Sequence, residues 1–291
     1  MTTHEWMLKG NHQSEWIEKR GILLWLAFYA GGLGGGLYLV SLLFNNLWGM
    51  LIGWLIVGVL KGSLHLLFLG KPARFWRLVF HPQTSWLSRG LIFVLAFAGF
   101  GLVQLLMSHF LPGSLLEIVF KVLAGICALC VATYTGLVLN NVKGVPFWNI
   151  RFLPLLFVTC GILGGFGLTV TVMLSTANPS LSAAEAGSRW MLIINSLLVA
   201  SYLIIAASKD AVARESVFYQ LTGGSSAAFW LGVVFLGVIV PVTAALYSYF
   251  AGEAVAAILI IAAACDIVGG MLLRYCLLKS AVYRPLVGQL S

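Results

Sequence analysis

Lys61 and His65 stand four residues apart in an apolar stretch, so on a helix they share one face. Arg89 opens the next apolar stretch. Tyr134 lies in the run TYTG, six residues before the end of the one after at Asn140. If these stretches are membrane helices, the four groups converge at one level. Ionisable side chains inside such helices are costly and mark functional sites by default. His titrates near neutrality and suits a proton role, and Tyr donates a hydrogen bond from an otherwise apolar wall. A quinone head group asks for this chemistry: a donor for each carbonyl, a group that gives or takes a proton, and apolar walls for ring and tail. A plainer reading uses the same residues: Lys61 and Arg89 snorkel to the membrane surface, and Tyr134 caps a helix contact.

A second set comprises Glu117, Lys121 and Asp266. Glu117 and Lys121 form an i,i+4 pair. Asp266, alone in its stretch, needs a partner or water. The set reads as a proton path or, more simply, as a structural ion pair, and Asn195 reads as a helix–helix hydrogen bond. No metal site is expected. His65 and His109 differ by ~15 residues in depth, or ~23 Å at the helical rise, so they cannot share a haem. His4, His12 and His81 lie in the tail or a loop. Cys127 and Cys130 form a C-x-x-C pair, but a cluster or structural zinc takes four thiolates and no second pair exists. They read as small apolar side chains. Electrons, if the protein handles them, must leave through another subunit.

The elements that position these residues follow from composition. The 291 residues are 60% hydrophobic and only 9% charged, against about 25% charged in soluble domains. Too little polar surface remains to cover a water-facing globule, and an all-α integral membrane protein is expected. Eight spans are read at about 22–44, 47–69, 89–111, 115–140, 152–175, 189–207, 228–248 and 253–279, each long enough to cross ~30 Å of hydrocarbon. They lie between a polar tail, 1–21, too polar for a secretory signal peptide, and a tail at 280–291. Five cysteines scattered through apolar segments suggest no disulfide framework.

Eight spans put both termini on one side. That side carries Lys9, Lys19, Arg20, Lys71, Arg74, Arg77, Lys143, Arg151, Lys209, Arg214, Lys279 and Arg284. The other side has the Asn45 and Pro112 turns, the 176–188 loop and the Glu253 turn, with Arg189 its one basic residue. The positive-inside rule places both termini in the cytoplasm, and the net charge of +8 speaks to orientation before nucleic acid. The glycines of Gly31-Gly32-Leu33-Gly34-Gly35-Gly36, and Gly161, Gly164, Gly165 and Gly167, fall inside spans. They therefore read as close helix packing, with room left for a flat ligand, and not as a nucleotide loop. Between the second and third spans, Lys71, Arg74, Trp76 and Arg77 form a basic, aromatic platform on which a partner is expected to sit.

In order and spacing, several motifs together resemble the NrfD/PsrC family, the membrane-anchor subunits of polysulfide-reductase-like respiratory complexes. They are AGGLGGGLYL in the first span, LGKPARFWRLVFHPQTSWLSRG after the second, TYTGLVLNNVKGVPFWN with LPLLFVTCGILGG, and FWLGVVFLGVIVP with GGMLLRYCLLKSA near the end. The resemblance implies a haem-free helical subunit with two four-helix bundles in a prokaryotic cytoplasmic membrane. It implies that the subunit anchors an iron–sulfur electron-transfer subunit, and through it a molybdopterin or other catalytic subunit. It also implies electron exchange with menaquinone or another quinone near the docking face. Tyr134 matches the family's tyrosine in its Y-x-G pattern. The polar position before the LG of the second span is Phe68 here, with His65 one turn earlier, and a polar pair of the first span is replaced by residues such as Leu24 and Ala27. Several relatives carry the catalytic subunit outside the cytoplasm on the terminus side. Here either the partner is cytoplasmic or the basic loops are docking contacts that override the rule.

Three functions follow as expectations. The first is a quinone-reactive anchor with Lys61, His65, Arg89 and Tyr134 at the head group. The second is a transporter or channel with Glu117, Lys121 and Asp266 on an ion path. The third is a structural anchor with no quinone of its own.

Overall fold

A computed structural model describes residues 11–176, 178–251 and 255–285. Expectations that touch His4, Glu5, Lys9, the Glu253 turn and the tail beyond 285 lie outside the described residues. A short strand, β1 (Asn11–His12), is followed by α1 (Gly21–Leu43), α2 (Leu47–Phe68), α3 (Trp86–Phe110), α4 (Leu115–Asn140), α5 (Leu153–Thr176) and α6 (Leu181–Lys209). Then come a short helix α7 (Ala211–Leu221), α8 (Ala228–Ala251), α9 (Ala256–Lys279) and a second strand, β2 (Val282–Tyr283). Apart from α7, all these helices are long and apolar enough to cross a membrane, so eight candidate spans stand among the described residues. The protein is an all-α integral membrane protein, as its hydropathy requires, since only a helix or a closed barrel satisfies its own backbone in lipid.

The helix starts are written locally. Asn46, Ser85, Ser114 and Asp210 each accept a hydrogen bond from a backbone N–H two or three residues into the helix that follows. Gly113, at φ +80°, makes the turn between α3 and α4. One boundary departs from expectation. Helix α6 begins at Leu181, not near 189, so most of the 176–188 loop is helical. Its first turns are rich in alanine and carry an i,i+4 pair, Glu185 to Arg189 at 3.7 Å. Polarity marked the segment as loop, whereas propensity makes it helix.

Helices α1 and α5 form the centre, each 67% buried over its apolar stretch, against 17–28% for the other six. Helix α1 packs on α2, α4 and α5, and α3 packs on α4 and α2. Helix α5 also packs on α4, α6 and α9, and α9 on α8. Small residues make the central contact: Gly32 and Gly36 face Gly161 and Gly165, backbone on backbone, and Ser41 Oγ lies 3.2 Å from Thr169 Oγ1. On the terminus-bearing side the loop after α4 turns inward. Val145, Phe147 and Trp148 are fully buried, with Trp148 Nε1 donating to Leu277 O at 2.7 Å. The tail strands pair antiparallel, Asn11 opposite Tyr283 and His12 opposite Val282.

A β-carbon at Gly161 would stand 2.5 Å from Gly32 O, whereas one at Gly99 on α3 meets nothing within 4 Å. Gly161→Val should therefore cost about 1–3 kcal/mol by overpacking a backbone contact that cannot yield. Gly99→Leu should stay within about 0.5 kcal/mol of the parent. Thermal unfolding of the two variants in detergent checks the contrast.

Candidate functional site

Helix α2 is not regular. Between Ile56 and Lys61 it widens into a π-helical segment, an arrangement that re-aims the residues after it and is frequent at functional sites. From Ile56 to Phe68 the residues it buries are Val57 and Lys61. Lys61 is only 1% exposed, far from the water it would reach by snorkelling. Its ammonium donates to Tyr134 Oη at 3.0 Å and to Ala27 O at 3.3 Å, and stands 4.6 Å from the centre of the Tyr134 ring. Tyr134 is equally buried, and its ring packs against Gly90 at the start of α3, where no side chain would fit.

His65 completes the group. Its Nδ1 is 3.1 Å from Lys61 O and its Nε2 is 3.3 Å from Tyr134 Oη. The directions follow from the partners. A carbonyl only accepts, so Nδ1 carries a hydrogen, and in the neutral imidazole Nε2 then accepts. Tyr134 therefore donates to His65 and accepts from Lys61. The three side chains, with the Lys61 main-chain carbonyl as the last link, form a closed ring of donors and acceptors where α2 meets α4. His65 is partly exposed and is its open member, with Phe28 of α1 beside it, ring centres 6.1 Å apart.

Arg274 of α9 was not singled out from the sequence. It is 1% exposed. Nη2 donates to Phe157 O at 3.0 Å, and the guanidinium lies 5.1 Å from the ring centres of Tyr29 and Phe157. Nε and Nη1 have no partner among the described residues. Lys61 reaches α1 at Gly31 and Arg274 reaches it at Gly32, each filling the place a side chain would take. The signal available in sequence was an arginine six residues inside a span, but its inward face depends on α9 packing against α1 and α5.

Arg89 does not join the ring of Lys61, Tyr134 and His65. Its Nε donates to Pro82 O at 2.7 Å and Nη2 to Gln83 O at 3.0 Å, and its guanidinium sits 4.5 Å from the centre of the Trp86 ring. It ties its own loop to the start of α3. The loop before it is largely a 3₁₀ helix, Pro72–Phe80, lying on α3. Lys71, Arg74, Trp76 and Arg77 are all exposed there, with Arg77 5.5 Å from the Trp76 ring centre. None of the three basic residues has an ion pair among the described residues.

Glu117 and Lys121 sit at the far end of α4. Glu117 pairs with Lys121 at 2.7 Å, and accepts from Ser108 Oγ at 2.7 Å and Gly113 N at 2.6 Å. Ser108 accepts from Gln104, Gln104 from Tyr38, and Lys121 donates to Asn45 at 2.8 Å. This network staples the turns at that end. Asp266 is not part of it: it lies on α9, facing α5, α6 and α8. Asn195 Oδ1 lies 3.3 Å from Thr159 Oγ1 of α5, a helix–helix contact. Cys127 and Cys130 are free thiols on α4. Among the described residues no three His, Cys, Asp or Glu side chains gather to hold a metal ion.

Residues 21–285 match the family model described as "Polysulphide reductase, NrfD". The sequence is 32% identical over 224 residues to Protein NrfD of Escherichia coli, covering 64% of this protein and 69% of that one. It is 27% identical over 223 residues to the C polypeptide of polysulfide reductase from Wolinella succinogenes, covering 67% and 68% of the two proteins. A Protein NrfD homolog of Haemophilus influenzae is 25% identical over 244 residues, 70% of this protein and 74% of that one. With a match across nearly every described element and eight apolar helices beneath it, the protein belongs to the polysulphide reductase NrfD family, as a multi-pass membrane subunit of a respiratory oxidoreductase.

Proposed function

We propose that the protein is a quinone-reactive anchor, exchanging electrons between the membrane (mena)quinone pool and an iron–sulfur partner, with a molybdopterin subunit beyond it. The observation that carries this reading is the closed ring of Lys61, Tyr134 and His65. It offers an ammonium, a phenol and an imidazole in an apolar corner, the donor set a quinone head group calls for. Bound there, quinol supplies electrons and protons. The protein's own residues handle the protons. A proton arriving at His65 Nε2 turns that atom from acceptor to donor. The Tyr134 oxygen then faces two donors, His65 and Lys61, and its own hydrogen is released to point at a ligand oxygen. Approach is from the His65 side, the partly exposed member of the ring.

Helices α1–α4 around this corner, and α5, α6, α8 and α9 beside them, support a reading as two four-helix groups meeting at α1 and α5. Arg89 holds the turn at Pro82 and Gln83 that follows the 3₁₀ segment, and the exposed Lys71, Arg74, Trp76 and Arg77 are the docking face for the iron–sulfur subunit. The membrane is read as a prokaryotic cytoplasmic one from the family, and the basic residues on the terminus side support both termini lying inside. Glu117 and Lys121 act as a structural pair.

Tyr134→Phe and His65→Ala should each lower quinol-linked turnover about 10²-fold or more, while the complex still assembles. Turnover by membranes, read beside copurification of partner subunits, checks this, and wild-type rates in both variants remove these residues from the mechanism. Arg74→Glu combined with Arg77→Glu should cut copurified iron–sulfur partner at least ~10-fold, as like charge is set against the partner's surface. Quinone retained by the wild-type complex distinguishes this reading from a purely structural anchor. Solute movement by the protein alone in liposomes would point to a transporter.

A further inference from the structure

Asp266 is 8% exposed and makes no hydrogen bond or ion pair among the described residues. It is the one described residue that lines both of two neighbouring cavities. The smaller, about 60 Å³, runs towards Glu185, Ser188 and Arg189 and has room for a few waters. The larger, about 310 Å³, is a cleft between α6 and the first half of α8, floored by α9. That half of α8, Ala228–Ile239, is π-helical. The cleft falls at the lower edge of small-ligand sites in volume. Leu203, Val234 and Leu273 are among its apolar walls, and Trp230 and Leu221 stand at the terminus-side end.

The polar end of the cleft is chemically specific. Asp266 offers an unpartnered carboxyl. Asn195, 8% exposed, has one polar contact, Oδ1 3.3 Å from Thr159 Oγ1, whose single hydrogen also has Leu155 O at 3.0 Å, so its amide keeps hydrogen-bonding capacity unpartnered among the described residues. A single hydroxyl satisfies both, donating to the carboxyl and accepting from the amide. Asp266 is the eleventh residue of the 24 in α9, roughly 15 Å from one end at the helical rise. A phospholipid head group does not descend to that depth. The occupant must be largely apolar, with a small neutral hydroxyl at its inner end.

We infer that the α6–α8–α9 cleft is a second binding site for a membrane-dissolved quinol, its hydroxyl held between Asp266 and Asn195. The choice of quinol among hydroxyl-bearing apolar molecules rests on the reading of the protein as quinone-reactive, but the site itself does not use Lys61, His65 or Tyr134. The two sites lie in different helix groups.

The complex in native membranes should be photolabelled with an azide-bearing menaquinol analogue of short prenyl tail and the labelled peptides mapped. Label is expected on peptides of α6, α8 and α9 as well as of α2 and α4, with both sets displaced by excess unlabelled menaquinol. Ala200→Trp, which narrows the cleft from its lipid-facing wall, should lower the α6–α8–α9 label at least ~10-fold and leave the α2–α4 label in place. Asp266→Ala should do the same without adding bulk. Label confined to α2 and α4 overturns the inference. So does α6–α8–α9 label that neither excess menaquinol nor either substitution reduces, because that marks the lipid-facing surface only. Displaceable label on α6–α8–α9 with none on α2–α4 would sustain this site while removing the first.

Discussion

The backbone of α1 lies directly on the backbone of α5, and much else follows from that contact. Gly32 and Gly36 meet Gly161 and Gly165 with no side chain between them. Two helices this close leave α1 presenting a surface of small residues, with shallow hollows along it. Long side chains from neighbouring helices occupy those hollows, Lys61 from α2 at Gly31 and Arg274 from α9 at Gly32. A side chain at either glycine would displace a cation. The glycine run is thus what admits charge to the middle of an apolar bundle.

Burying two cations in this way is expensive, and no carboxylate pairs with either of them among the described residues. An ammonium or guanidinium out of water needs its hydrogens accepted and its charge softened. Lys61 uses a backbone carbonyl, a phenol oxygen and the face of Tyr134. Arg274 uses one carbonyl and two aromatic faces, and still leaves two donors unused. Structural needs alone do not ask for either residue, since apolar side chains would pack there at lower cost.

Much of this was legible before any coordinates. Hydropathy reveals eight spans because lipid imposes a length and forbids open backbone. Lys61, His65 and Tyr134 were readable because helical spacing puts the first two on one face, both are ionisable within an apolar span, and Tyr134 falls at a matching depth. What escaped was set by tertiary geometry. Arg89 was expected at the same corner, but an arginine at a helix start satisfies itself with the carbonyls of its own loop, at Pro82 and Gln83. Arg274 resembles a snorkelling residue until α9 is placed against α1. The π-helical turn of α2 has no proline to announce it, and its Gly58 is one of many glycines within the spans. Gln104, Ser108 and Tyr38 are neutral and polar, so nothing in their types foretold a relay ending at Glu117. The first turns of α6 were misread because their polarity outweighed their alanine content.

The segments that flank the membrane helices are joined by main-chain bonds, β1 to β2, and reinforced where Gln13 Nε2 donates to Leu278 O at 2.7 Å and Lys279 meets Glu18 at 3.2 Å. What is made before the first membrane helix therefore finds its place only after the last one has left the ribosome. Until then the residues just ahead of α1 lack their bonds to Leu278, Ala281 and β2, and the buried loop around Trp148 lacks the carbonyl of Leu277. Closure of this clasp reports that the described helices from α1 to α9 have all been made. A polypeptide cut short before α9, however well inserted, would display an open seam to the cell's proteases on the face where its helices should be sealed.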